Sequence, residues 1–299
     1  MAVATGNFAE LLWPGINKIW GDTYKDYPEL YTKIFDVVQS TRAFEKYQGA
    51  TGLPLAGIKD QGAAVDNADP YQGYQKEMVN TTYGLGAAVT REMYDDDQYN
   101  YINGIPKMLA RSARQTEETL AWNIINRAQN AAYVGPDGVT LANASHPLVR
   151  GGTMSNQLAV AADLTQTSAE TMIQQVLDAV DDDNLKIMLT PKALVVPTAI
   201  SIRAEKILGS DQVTGSNDND KNVIRNRMQI IVSPYITDSD SWFIATNMPE
   251  GEGFVWQSRR KIEFTRDQEF DTENLKFKMT WRSDVSWINF RCMYYSPGA

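Results

Sequence analysis

The chain has 299 residues, enough for one large or two modest domains, and its 43% hydrophobic composition with seven Trp and fourteen Tyr excludes wholesale disorder. With 37 acidic against 28 basic residues and a formal charge of -9, it does not read as a dedicated nucleic-acid reader or as a chain anchored to anionic lipid. Its single Cys, Cys292, excludes an intrachain disulfide. No apolar run approaches the ~20 residues that span a bilayer, and Met1 to Phe8 lack the basic and apolar parts of a secretion signal. The expectation is therefore a chain made in the cytoplasm, neither exported by that route nor inserted in a membrane.

In chain order, residues 1–48 read as an arm. Phe8, Leu11, Trp13, Ile16, Trp20, Tyr24, Tyr27, Leu30, Ile34 and Phe35 fall at irregular spacing, and Pro14 and Pro28 are expected to prevent one long helix. An arm this apolar is costly to expose, so it is expected to lie on its own subunit or on a neighbour. From Gly49 to Gly86 the composition shifts to seven Gly and two Pro, with strand-like pieces at Glu77 to Thr82 and Ala87 to Thr90. Such a stretch cannot build a core, and it predicts an extended hairpin laid on something else.

Asp95, Asp96 and Asp97 then suit the positive end of a helix dipole. Ile102, Ile105, Leu109, Ala113, Leu120, Ile124 and Ala128 recur at three or four residues, with a break near Gly104 and Pro106. They predict a spine helix over about 106–130, roughly 37 Å long at 1.5 Å per residue. A second helix is expected from the capping-box spacing of Thr167 and Glu170 and the face Ala169, Met172, Ile173, Val176, Leu177 and Val180. Leu185 to Val196 reads as a buried strand region interrupted by Pro191. Pro197 is placed to open a third helix through Leu208, with Gly209 ending it. Asp211 to Lys221 reads as a polar surface loop. Strands follow at Met228 to Val232, Trp242 to Ala245, Phe254 to Phe264, Leu275 to Trp281 and Val285 to Tyr295. The alternation of strand and helix predicts an α+β chain with a mixed sheet covered by helices.

The search for chemistry yields no catalytic residue, cofactor or metal site. One His, His146, cannot form a His-rich metal site, and Ser145-His146-Pro147 lacks the strained elbow that presents a nucleophilic Ser. Gly84-Leu-Gly86 matches only the start of a dinucleotide fingerprint, and no phosphate loop occurs. The acidic groups Asp95 to Asp97, Asp181 to Asp183, and Asp218 with Asp220 lack calcium-loop spacing and read as caps or solvated turns. Glu263, Asp267, Glu269, Asp271 and Glu273 near Arg259, Arg260, Lys261 and Arg266 read as surface or as a charged subunit contact.

Several stretches carry a resemblance when taken in order: Thr90-Arg91-Glu92-Met93-Tyr94-Asp95-Asp96, Leu109-Ala110-Arg111-Ser112-Ala113, and Ser145-His146-Pro147-Leu148 leading to Gly151-Gly152 and Asn156-Gln157. Leu194-Val195-Val196-Pro197, Val232-Ser233-Pro234-Tyr235-Ile236-Thr237-Asp238 and Ser241-Trp242-Phe243 complete the set. The chain resembles the Mu-like major head subunits, tailed-phage major capsid proteins of the Hong Kong 97 fold. The resemblance implies an arm (1–48), an extended loop (49–90), a peripheral domain with the spine helix (91–135 and 255–284) and an axial domain (136–254 and 285–299).

It also implies self-assembly as hexamers and pentamers around double-stranded DNA without sequence-specific contact. The expected partners are a scaffold protein, a portal and decoration proteins. The absence of a long charged leader after Met1 favours a separate scaffold. Relatives that link a loop Lys to a neighbour's Asn direct attention to Lys59, for which the sequence offers no partner. The rivals are an encapsulin-like compartment of the same fold and a hydrolase using His146.

Overall fold

The computed structural model describes residues 9–62, 64–96, 104–213 and 220–299. The first described element is α1 (Ala9–Asp26), which stops before Pro28. Pro14 does not break it: one N–H is lost from the ladder, and the helix is held instead by burial of Ile16 and Trp20 against the body. Phe8 lies outside the described residues. After a single 3-10 turn come β1 (Asp36–Gln39), β2 (Phe44–Ala50), β3 (Gln72–Val79) and β4 (Thr81–Val89), then α2 (Arg91–Asp95) and the spine helix α3 (Gly104–Asn126). The chain continues through β5 (His146–Pro147), β6 (Thr153–Met154), α4 (Gln166–Leu177), β7 (Pro191–Pro197), α5 (Ser201–Gly209), β8 (Gln229–Ser233) and β9 (Trp242–Thr246). It ends with β10 (Phe254–Gln268), β11 (Leu275–Trp287) and β12 (Met293–Ser296).

Two four-stranded sheets organise these elements. In the long sheet the order is β1-β10-β11-β4, with β1 parallel to β10 and the other pairs antiparallel. In the compact sheet the order is β12-β9-β7-β8, with β7 parallel to β8 and antiparallel to β9. This is the mixed sheet expected from the alternation of strand and helix.

Period-two geometry explains how the compact sheet is covered on both faces. Ala193, Val195, Phe243 and Ala245 join a core with Trp122 of α3, Phe254 and Trp287. Leu194, Val196, Trp242 and Ile244 enter a second core with Met172, Ile173 and Val176 of α4 and Ala204 and Ile207 of α5. A third core places Ile16 and Trp20 of α1 on Leu109 and Ala113 of α3, above Phe264, Phe277, Met279 and Trp281 of the long sheet.

Several expected boundaries move for local reasons. The spine helix is described from Gly104, so Pro106 lies within it rather than at a break ahead of it. The helix ends at Asn126 rather than near Asn130, because the chain tightens there: Ala128 N–H donates to the Ile125 carbonyl at 2.9 Å. Its buried stripe also rotates, so Ala121, Trp122 and Ile125 are enclosed while Leu120 and Ile124 are half-buried. Ile102 and Asp97 lie outside the described residues. The cap of α4 is Thr165, whose hydroxyl accepts from Ser168 N–H at 3.1 Å in a reciprocal box; Thr167 sits inside the helix. Leu177 on the expected apolar face is exposed.

The two strands expected at Leu275 to Trp281 and Val285 to Tyr295 regroup. The polar run Arg282 to Asp284 stays in the ladder to make β11 continuous. Asn289 then caps a 3-10 turn by accepting from Arg291 N–H at 3.0 Å before β12 begins. Residues 214–219 of the polar loop lie outside the described residues.

Candidate assembly interface

Two segments attach to the body through polar side chains: the arm, whose α1 also buries Ile16 and Trp20, and the hairpin β2–β3. At the arm, Arg114, Glu117 and Glu118 lie on the buried side of α3, where the stripe Ile105, Leu109, Ala113 would place apolar residues. The Tyr24 hydroxyl donates to both Glu117 oxygens at 3.0 and 2.8 Å, and Arg114 bridges Glu117 at 2.9 Å and Glu29 at 2.6 Å. The Arg114 guanidinium also lies 4.0 Å from the Tyr24 ring centre. Glu118 accepts from Leu30 N–H at 2.6 Å and from the Trp122 indole at 2.8 Å. Two carboxylates, Glu29 and Glu117, thus share one guanidinium, with Glu118 held beside them by neutral donors. Burial pushes Glu117 up to about 7 against the opposing pull of Arg114 and the Tyr24 hydroxyl, and burial also raises Glu118.

The second appendage is the hairpin β2–β3. Its strands pair from Phe44 with Val79 to Gln48 with Gln75, and a shift follows at Gly49. Gly73 is required there, since a Cβ on it would lie 2.7 Å from the Gly49 carbonyl oxygen. A polar chain fastens the stem: Tyr47 donates to Gln257 at 3.2 Å, Gln257 donates to Asn80 at 2.9 Å, and Asn80 donates to Ser40 at 3.0 Å. On the other side Tyr74 donates to the Pro147 carbonyl at 3.1 Å. Arg150 stacks 4.4 Å from the Tyr71 ring centre, donates to the Asp69 carbonyl and pairs with Asp183 at 2.5 Å.

Beyond this clamp the chain from 52 to 71 has no regular strand or helix, and its described residues are exposed. Leu55 is 79% exposed and Ile58 is 99% exposed; Leu53, Val65 and Tyr71 are also open. Exposed aliphatic patches of this kind mark interaction surfaces in folded proteins.

A family model described as phage capsid protein matches residues 75–296, most of the chain. The chain belongs to the phage capsid protein family. No curated protein matches its sequence. Among solved structures it is similar to the procapsid protein of bacteriophage JBD30, at 16% identity and a TM-score of 0.56, covering 98% of this chain and 76% of that one. The capsid of an empty GTA particle gives 12% identity and 0.58, covering 90% and 89%. A virus-like particle from Pyrococcus furiosus gives 12% and 0.55, covering 94% and 97%. At such identities the likeness is one of fold, and that fold is the Hong Kong 97 type expected from the sequence. The phage capsid protein is therefore a structural shell subunit, not an enzyme. An encapsulin-like compartment would share the fold, so the family match rather than the architecture separates it from a phage capsid.

In this capsid protein His146 is enclosed. Its Nδ1 lies 2.5 Å from Asp137 and its Nε2 lies 3.1 Å from Asn156, and the ring stacks on Phe290 with centres 3.8 Å apart. Both ring nitrogens are occupied, and Ser145 is exposed. Asp181 accepts from Asp183 N–H and Leu185 N–H at 2.8 Å each, a turn cap, while Asp182 meets buried Arg291 at 3.2 Å. Among the described residues no cluster of His, Cys, Asp or Glu could hold a metal ion, and no helix is long and apolar enough to cross a membrane. Lys59 is exposed on the 52–71 segment. Sequence reasoning missed Arg114, Glu117, Glu118 and Arg150. The signal available for the first three was charge at positions continuing the apolar stripe of α3; for Arg150 there was none.

Proposed function

We propose that this phage capsid protein is the major head subunit of a tailed phage of the Mu-like type, assembling as hexamers and pentamers around double-stranded DNA. The carrying observation is the pairing of a clamped stem with an exposed tip. The hairpin is fixed to its own body by Tyr47, Tyr74 and Arg150, while Leu53, Leu55, Ile58 and Val65 are left for a neighbour. A thin shell draws its strength from many modest contacts made at once, and a projecting loop supplies one per copy.

The domain reading is an arm over 1–48, a loop over 49–90, a peripheral unit over 91–135 and 255–284 and an axial unit over 136–254 and 285–299. The three cores support it. The compact sheet with α4 and α5 draws on the axial ranges, and α3 with most of β10 and β11 draws on the peripheral ones. Strand β4 shares a ladder with β11, so the base of the loop range belongs to the peripheral sheet. Scaffold, portal and decoration proteins are the partners this role requires, and the host cytoplasm is where the chain would be made. The chain's acidity, -9, suits an inner wall that must not grip phosphate.

Deleting residues 52–70 tests the reading. The shortened chain should stay soluble with native far-UV circular dichroism and form no closed shells in electron micrographs. Shells of normal yield and diameter would overturn the assignment of this segment.

A further inference from the structure

His146, the one histidine of the chain, is fully enclosed, and its neighbours decide which ring nitrogens carry protons. The Asn156 amide nitrogen donates to the carbonyls of Leu141, Met293 and Phe290 at 2.6, 3.1 and 3.3 Å. The Asn156 oxygen accepts from Asn143 N–H at 2.9 Å. Turning the amide over would set its oxygen against three carbonyl oxygens and its nitrogen against an N–H. The oxygen is therefore what faces His146 Nε2 at 3.1 Å, and Nε2 must donate. On the other side of the ring Nδ1 stands 2.5 Å from Asp137 Oδ2, which is too close for two bare lone pairs. The pair thus holds two protons, where a neutral imidazole beside a bare carboxylate would hold one. Carboxylic acids are stronger acids than imidazolium, so the second proton stays on Nδ1. Asp137 keeps its other oxygen for Val139 N–H, and Phe290 lies flat against the ring at 3.8 Å, a face that suits a cationic imidazole.

This network stands at the foot of the turn that clamps the hairpin. His146 pairs with Met154 and Pro147 with Thr153. Between them the chain reverses tightly: Leu148 N–H donates to the Gly152 carbonyl at 3.1 Å, Gly151 N–H donates to the Leu148 carbonyl at 3.0 Å, and both glycines have positive φ. Two of the hairpin's fastenings hang from this turn. One is the Pro147 carbonyl that accepts from Tyr74, and the other is Arg150, which meets the Tyr71 ring, the Asp69 carbonyl and Asp183.

We propose that His146 is a positioning residue for the hairpin: protonated on both ring nitrogens, it ties Asp137 to Asn156 and so holds the 146–152 turn where Tyr74 and Arg150 engage it. A singly protonated ring would leave Nδ1 facing a carboxylate, or Nε2 facing an amide oxygen, with no proton between them. Either repulsion is buried, where water cannot relieve it, and would open the foot of the turn. The angle at which the hairpin leaves the body is thus set by a pair that the hairpin's own residues do not include. The inference concerns one subunit and stands apart from the capsid reading.

The test uses the full chain as a soluble subunit, with its one histidine isotopically labelled and read by nitrogen NMR. Both ring nitrogens should resonate as N–H nitrogens. Asp137→Asn supplies an amide that can donate to Nδ1, so in that variant Nδ1 should become a bare, accepting nitrogen while Nε2 keeps its proton. A histidine that merely fills space would show no such change. The second measurement is the rate of proteolysis within 52–71. His146→Gln cannot donate in both directions and should speed cutting several-fold, whereas Asp137→Asn, its network still satisfied, should stay close to the native rate. Tyr74→Phe should speed cutting too, and adding it to His146→Gln should give no further increase, because both act on one fastening. A bare ring nitrogen in the native chain would overturn the double protonation. Multiplied rates in the combined variant would overturn the positioning role. If His146→Gln does not fold, Asp137→Asn decides: fast cutting with Nδ1 still protonated would overturn the proposal.

Discussion

Strands β7 and β9 bury every residue from Ala193 to Pro197 and from Trp242 to Thr246, whereas the segment carried by β2 and β3 exposes Leu53, Leu55, Ile58 and Val65. Both regions are rich in aliphatic side chains, and what separates them is cover. The compact sheet has α4 and α5 on one face and α3 with the long sheet's residues on the other. The hairpin has only its stem fastened, by a handful of hydrogen bonds and one stacked Arg. The arm lies between these extremes: its apolar face is buried, but its C-terminal end is held by a charged cluster that pays in desolvation for what it returns in geometry. A subunit divided in this way folds on its body and keeps its appendages adjustable.

The sharpest way to break the comparison is to hollow out the compact sheet. Trp242→Ala removes a fully enclosed ring and its indole bond to the Ala162 carbonyl at 3.0 Å. It should cost about 3–5 kcal/mol and shift the urea midpoint of the whole subunit. An unchanged midpoint would mean this sheet is not the stabilising centre.

A smaller effect is expected at the arm, and it depends on pH. Glu117 ionises near 7 in the folded chain against 4.5 for the free group, so the native state holds its proton more tightly than the unfolded chain does. Its contribution is complete below about pH 4.5, falls as pH rises towards 7 and is flat above that. The shift corresponds to on the order of 3 kcal/mol. Exchange of the Leu30 and Tyr31 amides should accelerate between pH 5 and 8 after correction for intrinsic rates. Glu117→Gln should flatten most of that slope, with Glu118, also raised by burial, supplying the remainder. If the glutamine variant keeps the full slope, Glu117 is not its source.

The smallest effect belongs to the hairpin clamp. Arg150→Ala should loosen the stem by about 1–2 kcal/mol, because Asp183, with a side chain 4% exposed, loses its partner. The body should not register the change. Limited proteolysis within 52–71 should speed several-fold while the global urea midpoint stays put; a shift of that midpoint as large as Trp242→Ala produces would erase the distinction between body and appendage.

Much of the body could be read from local patterns. The face Ala169, Met172, Ile173 and Val176 is buried as its spacing predicts, and Pro197 leads through one 3-10 turn into α5. The spine helix was legible as a helix but not in its orientation. Leu120 with Ile124 and Trp122 with Ile125 are both plausible stripes, and the choice is made by what Trp122 meets across the core. The hairpin was legible through its glycines and its lack of core residues. The charged cluster at Arg114 was hidden because Glu and Arg are ordinary helix formers, and their place on the continued apolar stripe of α3 does not by itself mark them as buried.

The sequence by itself determined the alternation that makes strands, the spacing that makes helices, the glycine-rich stretch that cannot pack, and the ordered stretches that resemble phage head subunits. Only the tertiary structure decided that β1 lies parallel to β10, with Asp36 beside Val255, that the arm docks on α3 of its own chain, and that Glu117 loses its water there. The physical reason is distance along the chain. Hydrogen-bond periodicity and capping act over three or four residues, whereas burial and the ionisation it shifts depend on partners some ninety to two hundred residues away.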